Sequence, residues 1–160
     1  MKKLNAFVLG LVAVLAFTSC QKEEDVDIVY GNTNMLSKTL TVYGSQWYFV
    51  DPDYIADIPV AEINQSVVDN GAVMVYYRNG FGEWHAMPNT IPVTSTYASV
   101  YSFSYWNGYV SLYKIDTDLI TGTPGDLDVK IVILSLKSMM ENQDVNWNNY
   151  SEVSSRFNLK

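Results

Sequence analysis

The clearest pattern in the chain is an alternation of residue types on both sides of the dipeptide Asn107-Gly108. An Asn-Gly turn between alternating segments is the strongest short-range signal of a β-hairpin. It predicts a hairpin over residues 98–115 in which Trp106 pairs with Tyr109. We expect the more uniformly apolar face to be the core side, and it carries Tyr101, Phe103, Tyr105, Val110, Leu112 and Lys114. The opposite face mixes serines with aromatic residues and is expected to be wetter.

The other strand segments are short, rich in β-branched and aromatic residues, and bounded by turn residues. They cover residues 38–43, 46–50, 54–58, 72–77, 83–87 and 127–134. In the last segment, the residues expected to face the core are Leu127, Val129, Ile131 and Ile133. About eight short strands predict an all-β, mainly antiparallel fold, a two-sheet β-sandwich, with a partly open barrel as the alternative.

Two segments have helical spacing of apolar residues instead. Residues 60–70 place Val60, Ile63 and Val67 on one face, which predicts a short mid-chain helix. Residues 149–157 predict a second short helix. Its apolar face, expected to dock on a sheet, carries Tyr150, Val153 and Phe157. Residues 89–95, which contain a proline, are interpreted as a loop.

The N-terminal segment has the order of a secretory signal. Lys2 and Lys3 precede an uncharged, mostly apolar stretch over residues 4–17, which is shorter than the roughly 20 residues that a membrane-spanning helix needs. Small residues then lead into Cys20, the only cysteine. This order resembles a bacterial lipoprotein signal. The resemblance implies cleavage before Cys20, lipidation of its sulfur with acyl chains such as palmitate, and attachment to the outer membrane.

A short charged run follows the cysteine and consists of Gln21, Lys22, Glu23, Glu24 and Asp25. It resembles the surface-export signal of Bacteroidota lipoproteins, which implies a place on the outer surface of the cell; the alternative is a solvated tether. The predicted organisation is a signal peptide over residues 1–19 and a lipidated cysteine with a flexible acidic tether over 20–37. The remaining segments are a sandwich domain over 38–137 and a polar C-terminal tail with a short helix over 138–160.

The charge of the chain limits its partners. The formal net charge is −7, and removal of Lys2 and Lys3 makes it more negative. An acidic surface repels phosphates, so we do not expect a nucleic acid partner. The expected partners are the membrane, through the lipid, and a glycan or protein ligand. The sequence leaves the oligomeric state open.

Several stretches between residues 46 and 134 share a pattern with a known group of proteins. They are residues 46–50, 58–59, 67–76, Trp84, Met87-Pro88 and 129–133. On these stretches the chain resembles small, flavobacterial-type Bacteroidota outer-membrane lipoproteins of unknown function. Some members carry a collagen-like segment that is absent here. The matching positions are core and turn residues, so the resemblance transfers no catalytic residue.

The candidates for catalysis and metal binding are few. His85 is the only histidine, and no Gly-x-Ser-x-Gly motif accompanies it, so we predict no enzyme activity and no cofactor. The alternatives are a purely structural envelope component and a hydrolase of surface polysaccharide that uses Asp116 and Asp126 as its carboxylate pair. No metal site is predicted, because the acidic turns lack EF-hand spacing. The alternative is a calcium site, and its candidate ligands are Asp116, Asp118, Asp126 and Asp128.

The aromatic residues suggest a ligand-binding surface. Trp106, Tyr109 and Tyr113 share the wetter face of the hairpin, with Ser104 and Ser111 between them. Flat rings beside hydroxyl groups can stack on sugars and bond to them, and Trp84 is the fourth candidate. The alternative is that these rings only cover the sheet or pack under the C-terminal helix. The sequence therefore predicts a lipid-anchored, non-enzymatic binding module.

Overall fold

The computed structural model describes residues 27–30, 35–120 and 122–159. The predicted signal peptide, the predicted lipidation site Cys20 and the predicted export residues up to Asp25 lie outside these ranges. The strands in these ranges are β1 (Asp27–Tyr30), β2 (Met35–Val42), β3 (Tyr48–Val50), β4 (Asp53–Pro59), β5 (Ala72–Arg78), β6 (Trp84–Ala86), β7 (Asn89–Pro92), β8 (Ala98–Trp106), β9 (Tyr109–Asp116) and β10 (Leu127–Leu134). The helices are α1 (Gln65–Asn70), α2 (Leu136–Glu141) and α3 (Tyr150–Phe157). Within the described ranges, no helix has the length and apolar character needed to cross a bilayer.

The strands form two five-stranded antiparallel sheets. Sheet A has the order β1-β2-β10-β5-β6, and sheet B has the order β3-β4-β9-β8-β7. Residues from both sheets share one buried cluster, so the sheets pack face to face. The predicted all-β sandwich is confirmed, and the sheets do not close into a barrel.

The predicted hairpin is present in the predicted register. Trp106 pairs with Tyr109, and the pairing continues to Ser99 opposite Asp116. Gly108 has a φ of 84°, a backbone conformation that favours glycine. The chain before α1 holds the turn in place, because the Gly108 amide donates to Ile63 O at 2.7 Å.

The core between the sheets follows the predicted faces. The hairpin contributes Val110 and Leu112, and β10 contributes Val129 and Ile131, all fully buried. Apolar residues of α1 join this core at the end of the sandwich that carries the Asn107-Gly108 turn, which we call the turn end. The opposite end contains Arg78 and Leu127.

A second apolar layer lies on the outer face of sheet A, the face that points away from sheet B. There α2, α3 and the chain between them cover Tyr76, Val132 and Leu134. Val153 of α3 is fully buried in this layer, with Tyr150 and Phe157 packed beside it. The predicted docking of the C-terminal helix is confirmed, and the layer order is helices, sheet A, sheet B.

The structure corrects several sequence predictions. Strand β1 lies inside the predicted flexible tether, because its backbone pairs with β2 over Asp27–Tyr30. Strand β7 occupies part of the predicted loop 89–95; its proline is tolerated because β7 is an edge strand. The predicted helix 60–70 shortens to α1, since Asn64 caps it by accepting from the Val67 amide at 3.1 Å. The polar tail 138–160 is part of the packed domain over its described residues.

Candidate ligand-binding face

The outer face of sheet B has no covering layer within the described ranges. The apolar residues of α1 belong to the core between the sheets, and those of α2 and α3 belong to the layer on sheet A. Side chains on the outer face of sheet B are therefore covered only by their neighbours on the same face. The rest of their surface is open to solvent.

Strand register arranges the side chains of this face in rows across β4, β9 and β8. The first row contains Pro59, Tyr109 and Trp106. The second row contains Asp57, Ser111 and Ser104. The third row contains Tyr48, Ile55, Tyr113 and Ser102. Successive rows are two residues apart along each strand, or about 7 Å. An aromatic row, a polar row and a second aromatic row therefore follow one another along the sheet.

The first row contains two exposed aromatic rings that stack on each other. The rings of Trp106 and Tyr109 stack with centroids 5.8 Å apart and an interplanar angle of 25°. Trp106 is 42% exposed and Tyr109 is 43% exposed, which is high for large rings on a sheet. The pair adjoins the hairpin turn, so both rings lie at the margin of the sheet and are accessible to a ligand.

The second row is a hydrogen-bonded polar network. Asp57 accepts hydrogen bonds from Ser111 Oγ and from Tyr48 Oη, the latter at 2.7 Å. The hydrogen bond to Asp57, helped by desolvation and by the charge of Asp57, raises the pKa of Tyr48 above its ordinary value. Ser104 and Tyr113 form a hydroxyl pair at 2.9 Å. The network fixes these hydroxyl groups beside an exposed carboxylate. We call Tyr48, Asp57, Trp106, Tyr109 and Tyr113 together the aromatic ledge.

Trp84, the fourth candidate, does not belong to the ledge. It lies on β6 at the edge of sheet A, where its ring packs against Tyr150 at 5.7 Å. The cationic groups of Lys130 and Arg78 lie 4.9 Å and 5.9 Å from the centre of the Trp84 ring. The expectation that Trp84 shares a patch with Trp106 and Tyr109 is therefore wrong. Sequence cannot tell which sheet a short strand joins.

The acids proposed for hydrolysis do not face each other across a cleft. Asp116 is buried and accepts hydrogen bonds from Lys114 Nζ at 2.7 Å and from Ser99 Oγ at 2.6 Å. Burial opposes its ionisation, but these hydrogen bonds outweigh burial, and the pKa of Asp116 is lowered. Asp126 is exposed and accepts from the Gly44 amide at 2.8 Å.

The four calcium candidates are likewise not brought together. Besides Asp116 and Asp126, Asp118 accepts from the Ile120 amide, and Asp128 accepts from Thr41 Oγ1 at 2.6 Å. In the part of the chain that the structure describes, no three His, Cys, Asp or Glu residues are placed to hold a metal ion.

His85 is held in a local amide network. Asn79 Oδ1 accepts from the Phe81 and Glu83 amides, which fixes Asn79 Nδ2 as the donor to His85 Nε2 at 2.9 Å. His85 Nε2 also lies 3.7 Å from Glu83 Oε2. Across the described ranges, no hydroxyl group donates a hydrogen bond to His85, so no nucleophile and base are paired there.

Sequence reasoning missed two members of the ledge. Tyr48 and Asp57 join Ser111 and Tyr113 only because β3 and β4 lie beside β9 in sheet B. Their signal is weak: Asp57 is an acid at an alternate position of a short strand, and strand order is not readable from the sequence.

The structure also contains two concave regions that no motif predicts. A groove of about 520 Å³ lies between the β5–β6 turn and strands β7 and β8. A more polar groove of about 510 Å³ lies between β6 and the start of α3. Comparison with protein-family models, with curated proteins and with solved structures found no match to this chain.

Proposed function

We propose that this chain is a lipid-anchored, cell-surface binding protein, without enzyme activity, whose aromatic ledge holds a neutral glycan. The observation that carries the proposal is the exposed stack of Trp106 and Tyr109, one row from the Asp57 network on an uncovered sheet face.

The chemistry of the ledge suits a sugar. A pyranose has apolar C–H faces that can lie flat on an aromatic ring, and hydroxyl groups at its rim that need hydrogen-bond partners. A sugar stacked on Trp106 and Tyr109 would carry its rim toward the second row, about 7 Å away. There the exposed carboxylate of Asp57 can accept hydrogen bonds, and the half-buried Ser104 hydroxyl lies in the same row. Ser111 is buried and donates to Asp57, so it holds the carboxylate in place.

The charge of the protein favours a neutral glycan. The chain has a formal net charge of −7, and the polar row of the ledge contains the carboxylate of Asp57. A polyanionic glycan would be repelled both by the overall charge and by this local one.

The absence of enzyme activity is part of the proposal. Asp116, half of the hydrolase pair suggested by the sequence, is buried against Lys114, and His85 accepts from Asn79. These engagements support a binding role over the hydrolase alternative. The purely structural alternative predicts that no glycan binds at all.

The binding test is a neutral-glycan array probed with the full chain in mild detergent. We expect saturable binding that falls at least about tenfold in Trp106→Ala and in Tyr109→Ala, since each loses a stacking ring. Asp57→Asn keeps the shape of the side chain but removes its charge and should weaken binding less. The control is Phe81→Ser, which removes an exposed ring elsewhere and should bind like the wild type. Absence of binding by the wild type, or equal binding by the ledge variants, overturns the proposal.

The anchor is tested separately. We expect mass spectrometry of the mature protein to find acyl chains on Cys20, and protease treatment of intact cells to remove the domain. Cys20→Ser should abolish acylation and membrane retention. An unmodified thiol contradicts the lipid anchor, and a protected domain in acylated wild type contradicts the surface location.

A further inference from the structure

Strand β6 forms one edge of sheet A, and part of its backbone points away from the sheet. The Met87 amide donates to Val75 O at 2.8 Å, so Met87 is bonded to β5. Because alternate residues of an antiparallel strand bond to the same neighbour, His85 is bonded to β5 as well. Trp84 and Ala86 therefore direct their N–H and C=O groups outward, and across the described ranges none of these groups has a hydrogen-bond partner.

The other edges of the sandwich carry features that oppose pairing with another chain. Strand β7 has Pro92 at an outward position, where it offers no N–H, and β1 begins with the acid Asp27. Strand β3 runs directly into Asp51-Pro52. Prolines and charged residues protect sheet edges in this way. Strand β6 contains no proline and no Asp, Glu, Lys or Arg, so its edge is open to an added strand.

The polar groove of about 510 Å³ lies alongside this edge. All three residues of β6 line it, together with Pro88, Asn89 and residues 148–151 at the start of α3. Its volume is within the range of ligand sites, and extended peptides bind many proteins by adding to the edge of a sheet. In that mode, backbone hydrogen bonds give affinity and neighbouring side chains give specificity. The groove is therefore placed where an added strand needs space.

The aromatic rings of this groove are already engaged with other groups. The ring of Trp84 packs against Tyr150 at 5.7 Å and lies 4.9 Å from Lys130 Nζ. The ring of Tyr150 also contacts Tyr76 with centroids 5.1 Å apart. A sugar needs a free ring face to stack on, whereas a peptide strand needs backbone partners. The outward groups of β6 therefore favour a peptide over a glycan here.

The remaining polar groups of the groove suit a peptide without charge. Asn148, Asn149 and Ser151 are exposed. Asn149 Oδ1 accepts from the Glu152 amide at 3.4 Å, which leaves its Nδ2 as a donor. In the described part of the chain the Asn148 side chain has no hydrogen bond, so it can both donate and accept. The lining contains no Asp, Glu, Lys or Arg, so it offers no salt-bridge partner to a charged peptide.

We propose that this groove binds an extended, uncharged peptide segment of a partner protein, which adds to sheet A beside β6. The segment bonds to the outward N–H and C=O groups of Trp84 and Ala86, and its polar side chains bond to the amides of Asn148 and Asn149. Acidic segments are disfavoured by the net charge of −7. This surface is separate from the aromatic ledge and does not depend on glycan binding.

The test uses a phage-displayed library of random heptapeptides, selected on the full chain in mild detergent. We expect the selection to enrich peptides that are poor in proline and in charged residues. Synthetic copies of these peptides should bind the wild type saturably in fluorescence anisotropy. Ala86→Pro removes an outward N–H and should weaken them about tenfold or more, because one donor is lost and the ring blocks the edge.

The matched control is a proline on a different edge strand. Thr90→Pro also removes an outward N–H, on β7, where Pro92 already occupies an outward position. It should bind the enriched peptides within about twofold of the wild type, since no donor of β6 is lost. Failure to enrich any peptide, or equal binding by Ala86→Pro and the wild type, overturns the proposal.

A second measurement leaves the protein unchanged, so it does not depend on the folding of Ala86→Pro. Each enriched peptide is N-methylated at one alternate set of residues and then at the other. Only one set of amides in an added strand faces β6. One methylated peptide should therefore lose binding to the wild type while the other keeps it, and an equal effect of the two sets contradicts strand addition.

Two further readouts identify the occupant. Sedimentation of the wild type and Ala86→Pro should give the same oligomeric state, and a wild-type dimer that Ala86→Pro dissociates would assign the edge to a second copy and overturn the peptide proposal. Glycan binding by Ala86→Pro is expected to be unchanged, because the ledge lies on sheet B. Failure of the peptide proposal and failure of the glycan proposal are thus distinguishable.

Discussion

The outer faces of the two sheets differ in what covers them. On sheet A, helices α2 and α3 bury Tyr76, Val132 and Leu134. On sheet B, no described helix covers the face, and Trp106 and Tyr109 are each more than two-fifths exposed. Both faces are rich in aromatic rings, yet only one became a second core.

The strand sequences encode this difference. Strand β10 is apolar at outward as well as inward positions near its end, where Val132 and Leu134 alternate with Ile131 and Ile133. A strand that is apolar on both faces needs two covering layers. Strand β9 alternates Val110 and Leu112 with serine and tyrosine, so one layer is enough. The free face is then available to a ligand.

Rings serve different purposes on the two faces. Under the helices, Lys130 is buried, donates to Tyr150 Oη at 2.6 Å, and lies 4.9 Å from the ring centres of both Tyr150 and Trp84. Burial raises the pKa of Tyr150 and, more strongly, that of Tyr76. On the ledge, Tyr48, Trp106 and Tyr109 keep between 42% and 47% of their surface exposed, beside a carboxylate. The comparison predicts large stability effects on sheet A and small ones on the ledge.

The largest effect is expected from a charge placed under the helical layer. Val153→Asp puts a carboxylate at a fully buried apolar position and should lower the free energy of unfolding by about 4 kcal/mol or more. Urea denaturation measures the change. Ser151→Asp, an exposed position on the same helix, is the control and should be near neutral. A loss below about 1 kcal/mol for Val153→Asp would mean that the layer adds little to the fold.

The next effect tests the buried ion pair inside sheet B. Asp116→Asn leaves the charge of Lys114 buried without its partner carboxylate and should cost about 3 kcal/mol. Because the pKa of Asp116 is lowered in the folded state, its contribution is present above the ordinary value near 3.8 and is lost as pH falls below it. Unfolding curves between pH 3 and 7 should therefore be less pH-dependent in Asp116→Asn. The exposed Asp126→Asn is the control, and an unchanged pH profile in Asp116→Asn contradicts the assignment.

A smaller effect is expected where a hydroxyl group supports a buried lysine. Tyr150→Phe removes the acceptor of the Lys130 hydrogen bond but keeps the ring, and should cost about 1–2 kcal/mol. Tyr97→Phe, on the chain between β7 and β8, is the matched control and should cost less. Thermal unfolding of the two variants measures the difference in their melting temperatures. Equal melting temperatures would contradict a stabilising role for the Tyr150 hydroxyl group.

A similarly small stability effect is expected on the ledge itself. Trp106→Ala should cost about 1–2 kcal/mol, because 42% of the side chain is already in water, while Trp84→Ala should cost about 3 kcal/mol. Glycan binding should follow the opposite order, lost in Trp106→Ala and kept in any folded Trp84→Ala. A ledge variant as unstable as Trp84→Ala would show that Trp106 is structural.

Local patterns in the sequence predicted the fold well where neighbouring residues determine it. The Asn107-Gly108 turn fixes the register of β8 and β9, and alternation fixes the core face of β10. Strand β1 was missed, because its pairing with β2 depends on backbone contacts that leave little pattern in four residues. Helix α2 was missed as well, since it is short and its start is marked only by the Ser135 cap.

The candidate sites were less predictable than the fold. Trp106, Tyr109 and Tyr113 were found because they share one hairpin. Whether Asp57 and Trp84 join these residues depends on which strands become neighbours, and strand order is a long-range property. The groove between the β5–β6 turn and strands β7 and β8 was the least predictable feature. Its lining residues Arg78 and Tyr101 come from different sheets, and no local pattern brings them together.

The direction of β1 has a consequence for how an anchored molecule would stand on a cell. The strand begins opposite Thr39, near the middle of β2, and runs to a position opposite Leu36, toward the turn end. Residues 21–26 separate Asp27 from Cys20 and reach roughly 25 Å at most. If Cys20 carries lipid, Asp27 stays within that distance of the bilayer, and β1 leads from there toward the turn end of the sandwich.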